Sequence, residues 1–379
     1  MISATTYQAA TIVAQTIEQH FIEQSGSAKV LNYQPLAAVP SAYVIEKIID
    51  VAFWASLRRE EGHIIKISLS YLSPEQAQLP VIFQQRLPLT PATLTKLAPG
   101  VERPGIHIGV WEEDGELYIW GATRSIPSLS FVVDVPEPGL LVVKHKRLDG
   151  FGKFANVAVL KGDQVKIIDE QNTALEDCPG FLTSLLGFET LFTDVSANVL
   201  VQLAVSMRAH KRGGSLLVVP SASDAWKASI VKPLLYAVEP SFSGLADLVQ
   251  NKAEELAKGT WQVALNREVD SLAGLTAVDG ATIINDKYNL LAFGAKIGRA
   301  AGSKPVDEMI VTEPVIGDTE KQLHPAQNGG TRHLSVAQFV HDQRDSLGLV
   351  ASQDGRFTIF SWSSRKQMVH AHLIDTLLL

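Results

Sequence analysis

The apolar positions of this chain fall into two textures. Over residues 4–24, Ala10, Val13, Ile17 and Phe21 recur at helical spacing. Over residues 42–61, Val44, Ile48, Val51 and Trp54 do the same, with Gly62 as the expected stop. From residue 63 the period changes to two. Ile65, Ile67 and Leu69 alternate with Lys66, Ser68 and Ser70, and residues 109–111, 116–122, 130–135, 140–145, 157–160 and 164–168 read as further strands. The turn sequences Glu113-Asp114-Gly115, Pro136-Glu137-Pro138-Gly139 and Lys161-Gly162-Asp163 separate them, which predicts a mostly antiparallel region behind two helices.

After about Glu170, helices alternate with isolated apolar runs. Residues 182–192, 198–210, 246–257 and 269–275 read as helices. In the second of these, Val199, Leu200, Leu203, Ala204 and Met207 form one face. Residues 216–219, entered through Gly213-Gly214, are continuously apolar, as a buried strand requires. Residues 281–284 with 290–293, and 347–351 with 357–362, are expected hairpins. A helix carrying Val336, Ala337 and Val340 follows Thr331. The expected fold class is therefore α/β. An α+β domain rich in antiparallel strands occupies residues 1–170, and a layered α/β/α domain with a central mixed sheet occupies 171–379. Residues 302–328, with Pro305, Pro314 and Pro325, read as a long loop, functional by its length.

Composition narrows the function classes. The 379 residues are 46% hydrophobic and 19% charged, which suits globular domains with cores of their own. Acidic residues outnumber basic ones by 40 to 33, a net charge of -7, so no nucleic-acid partner is expected and any phosphate site must be local. Cys178 is the single cysteine, which excludes an internal disulfide. The N-terminal residues lack the layout of a signal peptide, and no apolar run nears the ~20 residues of a spanning helix. A cytoplasmic protein without a membrane partner is the expectation.

Three short stretches carry candidate chemistry. In Gly329-Gly330-Thr331-Arg332-His333, the glycines admit a ligand close to the backbone and the following helix offers free N–H groups to a phosphate. Arg332 adds a permanently charged fork and His333 a further donor. The same residues also fit a plain glycine turn beside an exposed arginine. Asp279-Gly280-Ala281 places a carboxylate at a helix-to-strand turn, suited to a divalent metal or to drawing a proton, or simply to turning the chain. Asp354, in Ser352-Gln353-Asp354-Gly355, is a further metal-ligand candidate at a hairpin turn. His370 and His372 share a strand face without a third ligand nearby. Glu60, Glu61 and residues 144–147 read as solvated charge, and Trp54, Trp111 and Trp120 as core or interface aromatics.

Taken together, over roughly residues 180–379, the order of helix, Gly-Gly, buried strand, Asp-Gly-Ala and Gly-Thr-Arg-His resembles the diadenylate cyclase family of the DisA type. Residues 40–165 resemble the sensor domain called DACNV. Phe53-Trp54-Ala55-Ser56-Leu57-Arg58-Arg59-Glu60-Glu61-Gly62, Gly109-Val110-Trp111 and Ile119-Trp120-Gly121 carry that likeness. The resemblance implies condensation of two ATP into cyclic di-AMP with release of pyrophosphate, under control of the sensor domain. It implies Asp279 as the catalytic residue, helping to activate the attacking 3′-hydroxyl with Mg or Mn, and Asp354 as a second metal ligand. It implies that Gly280 and Ala281 border the adenosine, and that Gly330, Thr331, Arg332 and His333 hold the triphosphate. Each domain would activate one ATP, so a homo-oligomer with facing active sites is implied as well. The chain departs from the family at Leu334, where a second arginine is usual, and at Gln353, which stands in place of a carboxylate. Those departures suit a nucleotide-binding sensor without turnover on the same fold.

Overall fold

The computed structural model describes residues 6–148, 154–169, 195–250 and 258–379. The expected helix at 182–192, the segment 251–257 of the expected helix 246–257, and Cys178 lie outside the described residues. The chain divides into two compact units, Met1–Ile168 with Leu379, and Asp169–Leu378. No helix among the described residues is long and apolar enough to cross a membrane.

The first unit begins with α1 (Gln8–Val30) and α2 (Ala42–Ser56). Ser41 caps α2 by accepting the Val44 N–H at 3.4 Å. The helix ends at Ser56, five residues before the expected boundary at 61. Ser56 Oγ donates to the Phe53 carbonyl at 2.6 Å and accepts from the Gly139 N–H at 3.0 Å. Gly62 then serves a hairpin turn, not a helix stop. Glu61 and Gly62 adopt φ of 48° and 85° between β1 (Arg59–Glu60) and β2 (His63–Ile64).

Eight strands follow: β3 (Ile67–Tyr71), β4 (Val81–Pro88), β5 (His107–Glu113), β6 (Glu116–Thr123), β7 (Phe131–Glu137), β8 (Leu140–Lys146), β9 (Phe154–Lys161) and β10 (Gln164–Ile167). Their order is β10-β9-β8-β7-β3-β5-β6-β4, antiparallel except for β3 and β5. The crossover between those two holds β4 and α3 (Pro91–Val101), which the apolar pattern did not reveal. β4 is a largely exposed edge strand without alternation, and Pro99 sits inside α3. Thr90 still caps α3, accepting the Thr93 N–H at 3.1 Å.

One face of this sheet forms the core. Ile67, Leu69, Phe131, Val133 and Val143 pack with Val13, Ile17, Phe21, Ile45 and Ile48 of the helices. On the other face, Trp120 donates from Nε1 to the Leu72 carbonyl at 2.8 Å and lies over Gly109. Residues 144–147 are not uniformly solvated charge. The Lys144 side chain is only 13% exposed beside Asp134, and His145 is buried against His20 of α1, ring centroids 5.4 Å apart.

The second unit is a mixed α/β fold. Its strands are β11 (Gly214–Val219), β12 (Tyr236–Phe242), β13 (Ala281–Asn285), β14 (Leu290–Ala295), β15 (Met309–Thr312), β16 (Lys321–Leu323), β17 (Leu347–Ala351), β18 (Phe357–Ser363) and β19 (Met368–Leu373). They form one nine-stranded sheet of order β12-β14-β13-β11-β17-β18-β19-β15-β16, with β11–β13 and β15–β19 parallel. The stretch 302–328 is thus not a structureless loop: it supplies β15, β16 and a helical turn at Pro325–Asn328. All of β15 is buried, so no period-two signal marks it.

Three longer helices accompany the sheet: α4 (Val195–Ala209), α6 (Lys258–Leu275) and α7 (Thr331–Asp342), with the short α5 (Gly244–Gln250) between the first two. The expected short helix at 269–275 is the end of α6. Every residue of β11 is buried, so this central strand is covered on both faces. Val336, Ala337, Phe339 and Val340 of α7 pack with Leu217, Val219, Val350 and Phe360 of the sheet.

Gly348 of β17 lets α7 approach, because an added Cβ would fall 2.1 Å from Val336 Cγ1. Gly348→Val is therefore expected to destabilise this unit by about 1–3 kcal/mol, the usual cost of overpacking. Thermal unfolding checks it, and an unchanged midpoint would contradict the close seating of α7.

Candidate nucleotide site

The helix α7 begins at Gly330, which has an extended backbone and no side chain to cap the first turn. The Gly330 carbonyl accepts from the N–H groups of His333, at 3.0 Å, and Leu334, at 3.3 Å. The N–H groups of Thr331 and Arg332 precede any intrahelical partner, so this end of the helix is electropositive. Opposite it, Asp279 and Gly280 lead into β13. Gly280 has φ +112°, and a Cβ there would meet the Gly294 backbone at 2.5 Å. Only glycine allows this close approach of the two hairpin strands.

Asp279 and Thr331-Arg332 line one cavity of about 190 Å³, together with Ser215, Lys296 and Ser335. The two candidate motifs, far apart in sequence, meet there. Asp279 is 86% exposed and forms an ion pair with Lys296. The hydrogen bond from Lys296, then its charge, with a smaller contribution from Arg332, holds the Asp279 carboxyl below the usual carboxylate range. Lys296 escaped sequence reasoning, although the hairpin could have revealed it. Ala281 pairs with Ala295, so the residues just outside that pair, Gly280 and Lys296, fall side by side.

Gly280→Ala is expected to cost about 1–3 kcal/mol of stability, as a side chain forced into that backbone region does. It should also part Asp279 from Lys296. An NMR titration of the Asp279 carboxyl then moves up toward the ordinary range, and an unchanged titration would contradict the geometry.

A second cavity, of about 340 Å³, shares Thr331 and Arg332 and reaches to His333, Gln353 and Asp354. His333 is turned into the fold. Its ring lies against Gly329, where a Cβ would be 2.4 Å from Nδ1, and its Nε2 is 3.3 Å from Thr358 Oγ1. Burial, above all, pushes its pKa down, which favours the neutral imidazole. Asp354 Oδ2 pairs with Arg356 Nε at 3.3 Å, and Gln353 Nε2 donates to the Arg212 carbonyl at 3.4 Å. Asp354 therefore borders the second cavity, and Asp279 the first.

Among the described residues, no group of three or more His, Cys, Asp or Glu side chains is arranged to hold a metal ion. His370 and His372 are buried with ring centroids 3.9 Å apart. Thr312 Oγ1 lies 2.9 Å from His370 Nε2 and 3.3 Å from His372 Nδ1, which makes this a packed polar cluster between β15 and β19.

Comparison with known proteins bears on the first unit. No curated protein matches the chain. Residues 34–124, which lie wholly within Met1–Ile168, match the family described as Probable sensor domain DACNV.

Proposed function

We propose that the second unit is a diadenylate cyclase, joining two ATP into cyclic di-AMP with release of two pyrophosphates, and that the first unit regulates it as a sensor. The observation that carries this reading is the single cavity in which Asp279-Gly280-Ala281 meets the N-terminus of α7 at Thr331-Arg332. In each half-reaction the 3′-hydroxyl of one nucleotide releases its proton to solvent and its oxygen bonds to the α-phosphorus of the other. The bond from that phosphorus to the bridging oxygen breaks, and pyrophosphate leaves.

Such a transfer needs chiefly positioning and charge neutralisation. The free N–H groups at the start of α7 and the Arg332 guanidinium supply both for a triphosphate. Gly280 keeps the hairpin edge bare beside the nucleoside. Asp279, held ionised by Lys296, is a better cation ligand than proton acceptor. A single carboxylate completed by substrate phosphates is a common way to hold Mg, and Asp279 fits that role for Mg or Mn. Bound there, the cation supplies charge neutralisation at the phosphate and acidifies the hydroxyl. Asp354, on the second cavity, is paired with Arg356 as Asp279 is with Lys296, and either carboxylate would exchange that partner for the ion. Two copies of the unit must face each other to close both linkages, which calls for a homo-oligomer.

A second reading is favoured by two positions. Gln353 spends its amide on a backbone carbonyl, and Leu334 stands 36% exposed at the start of α7 without adding charge. In that reading the site binds nucleotide without turnover. The purified protein incubated with ATP and Mg or Mn, analysed by mass spectrometry, decides between them. Cyclic di-AMP is expected. Saturable ATP binding with no product would favour the second reading, and absence of nucleotide binding by folded protein would sink both.

A further inference from the structure

The first unit holds a second polar constellation that cyclase chemistry does not use. Ser68 of β3 pairs in register with Asp134 of β7, and Leu69 pairs with Ile108 of β5. Ser68, Asp134 and His107 therefore stand in line on three adjacent strands. Lys144 of β8, opposite Val132, lies diagonally beyond Asp134. Their sequence neighbours Ile67, Val133, Val135 and Val143 belong to the core, so the four polar groups share the opposite face.

The hydrogen bonding of this row can be assigned. Ser68 has one hydroxyl proton, and a carboxylate paired with lysine only accepts. Ser68 Oγ therefore donates to Asp134 Oδ1 at 2.5 Å and accepts from His107 Nδ1 at 2.7 Å. Lys144 closes the row through its ion pair with Asp134. Its ammonium lies 5.2 Å from the Phe154 ring centroid, and Phe154 meets His107 edge-on at 5.6 Å. The Lys144 and Asp134 side chains are 13% and 28% exposed. A pair so far withdrawn from water adds little net stability once its desolvation is counted.

This row is the floor of a cavity of about 470 Å³. Ile106, Pro136 and Phe154 give it apolar walls, and Lys66, Glu102 and Arg103 stand at its border. Three cations, Lys66, Arg103 and Lys144, face two carboxylates, Glu102 and Asp134, leaving one positive charge in excess. The volume lies within the range of small-molecule sites. We propose that the cavity binds a small organic monoanion, a carboxylate on an apolar body. Lys144 and the Arg103 fork receive the carboxylate. The chain from His107 through Ser68 to Asp134 fixes the lysine, and Phe154 and Ile106 cover the body. All of these groups lie in the first unit, so the proposal stands apart from the nucleotide reading.

The test uses the full chain titrated with benzoate, hexanoate, benzamide and benzylamine, followed by ligand-observed NMR and calorimetry. Both carboxylates are expected to bind saturably, and the neutral and cationic analogues about tenfold more weakly or worse, as loss of one charge-assisted contact predicts. Lys144→Met should abolish carboxylate binding. Arg103→Ala, on the exposed border where folding is not at risk, should weaken it about tenfold. ATP binding serves as the independent readout of the second unit and should not change. Failure of both carboxylates to bind at millimolar concentration would overturn the proposal. So would equal binding of benzamide, or Arg103→Ala behaving as wild type.

Discussion

Asp279→Asn is expected to slow formation of cyclic di-AMP by at least ~10²-fold, the usual scale for removing a charged group that acts on the transition state. The substitution is nearly isosteric, and the side chain is 86% exposed, so folding should not suffer. Lys296 loses its partner, but it is 58% exposed and water replaces the pair at little cost. The phosphate contacts proposed for Thr331 and Arg332 do not involve Asp279, so ATP binding should persist in part while turnover fails. Steady-state rates and calorimetry on the same preparation separate the two effects. A variant with near wild-type turnover would remove Asp279 from the chemistry. Equal loss of binding and turnover would instead make it a binding residue.

Acidification is expected to destabilise the first unit well before its carboxylates titrate. His145 is pushed down from 6.5 to about 4 by burial first, then by the neighbouring His20. His20 falls to about 4 by burial, which outweighs the pull of Glu23. Well above pH 6.5 both are neutral whether the chain is folded or not, and their contribution to stability is complete. Below that pH the unfolded chain takes up protons that the folded chain refuses, so stability declines until the pH reaches the folded value of about 4. Each such proton is worth about 1.4 kcal/mol per pH unit, so His145 alone accounts for about 3 kcal/mol across the window. His20 acts in the same direction. Unfolding free energies from urea titrations should fall by about 3 kcal/mol between pH 7 and pH 4.5, and His145→Phe should flatten the decline. A midpoint independent of pH would contradict the burial of the pair.

Part of the fold was readable from local pattern. β3 showed itself through alternation, α1 and α7 through a helical stripe, and β5–β9, buried over much of both faces, through the turns that separate them. Elements with none of these signals stayed hidden. β15 is buried throughout and β4 is exposed nearly throughout, so neither alternates. The end of α2 was overrun because apolar and charged residues continue past Ser56 into a hairpin that only the positive φ of Glu61 and Gly62 reveals. The candidate site divides similarly. Asp279, Thr331 and Arg332 were legible as residue types with suitable chemistry. That they share a cavity depends on β13 and α7 being brought together by the sheet, which no local pattern encodes. His333 looked like a phosphate donor, and its burial against Gly329 is a tertiary fact.

The two halves of the proposed site differ in how they come into being. Asp279 and Lys296 are 17 residues apart on one hairpin, so they can meet as soon as β13 and β14 pair. Arg332 arrives on a helix whose apolar face has no partner until the central strands are in place. The Asp279–Lys296 half is therefore expected to form by local folding and the Arg332 half by later docking of α7. Transient openings that lift α7 would erase the phosphate-binding half and leave the hairpin intact. Hydrogen exchange should then find the first turn of α7 opening at lower free energy than β13.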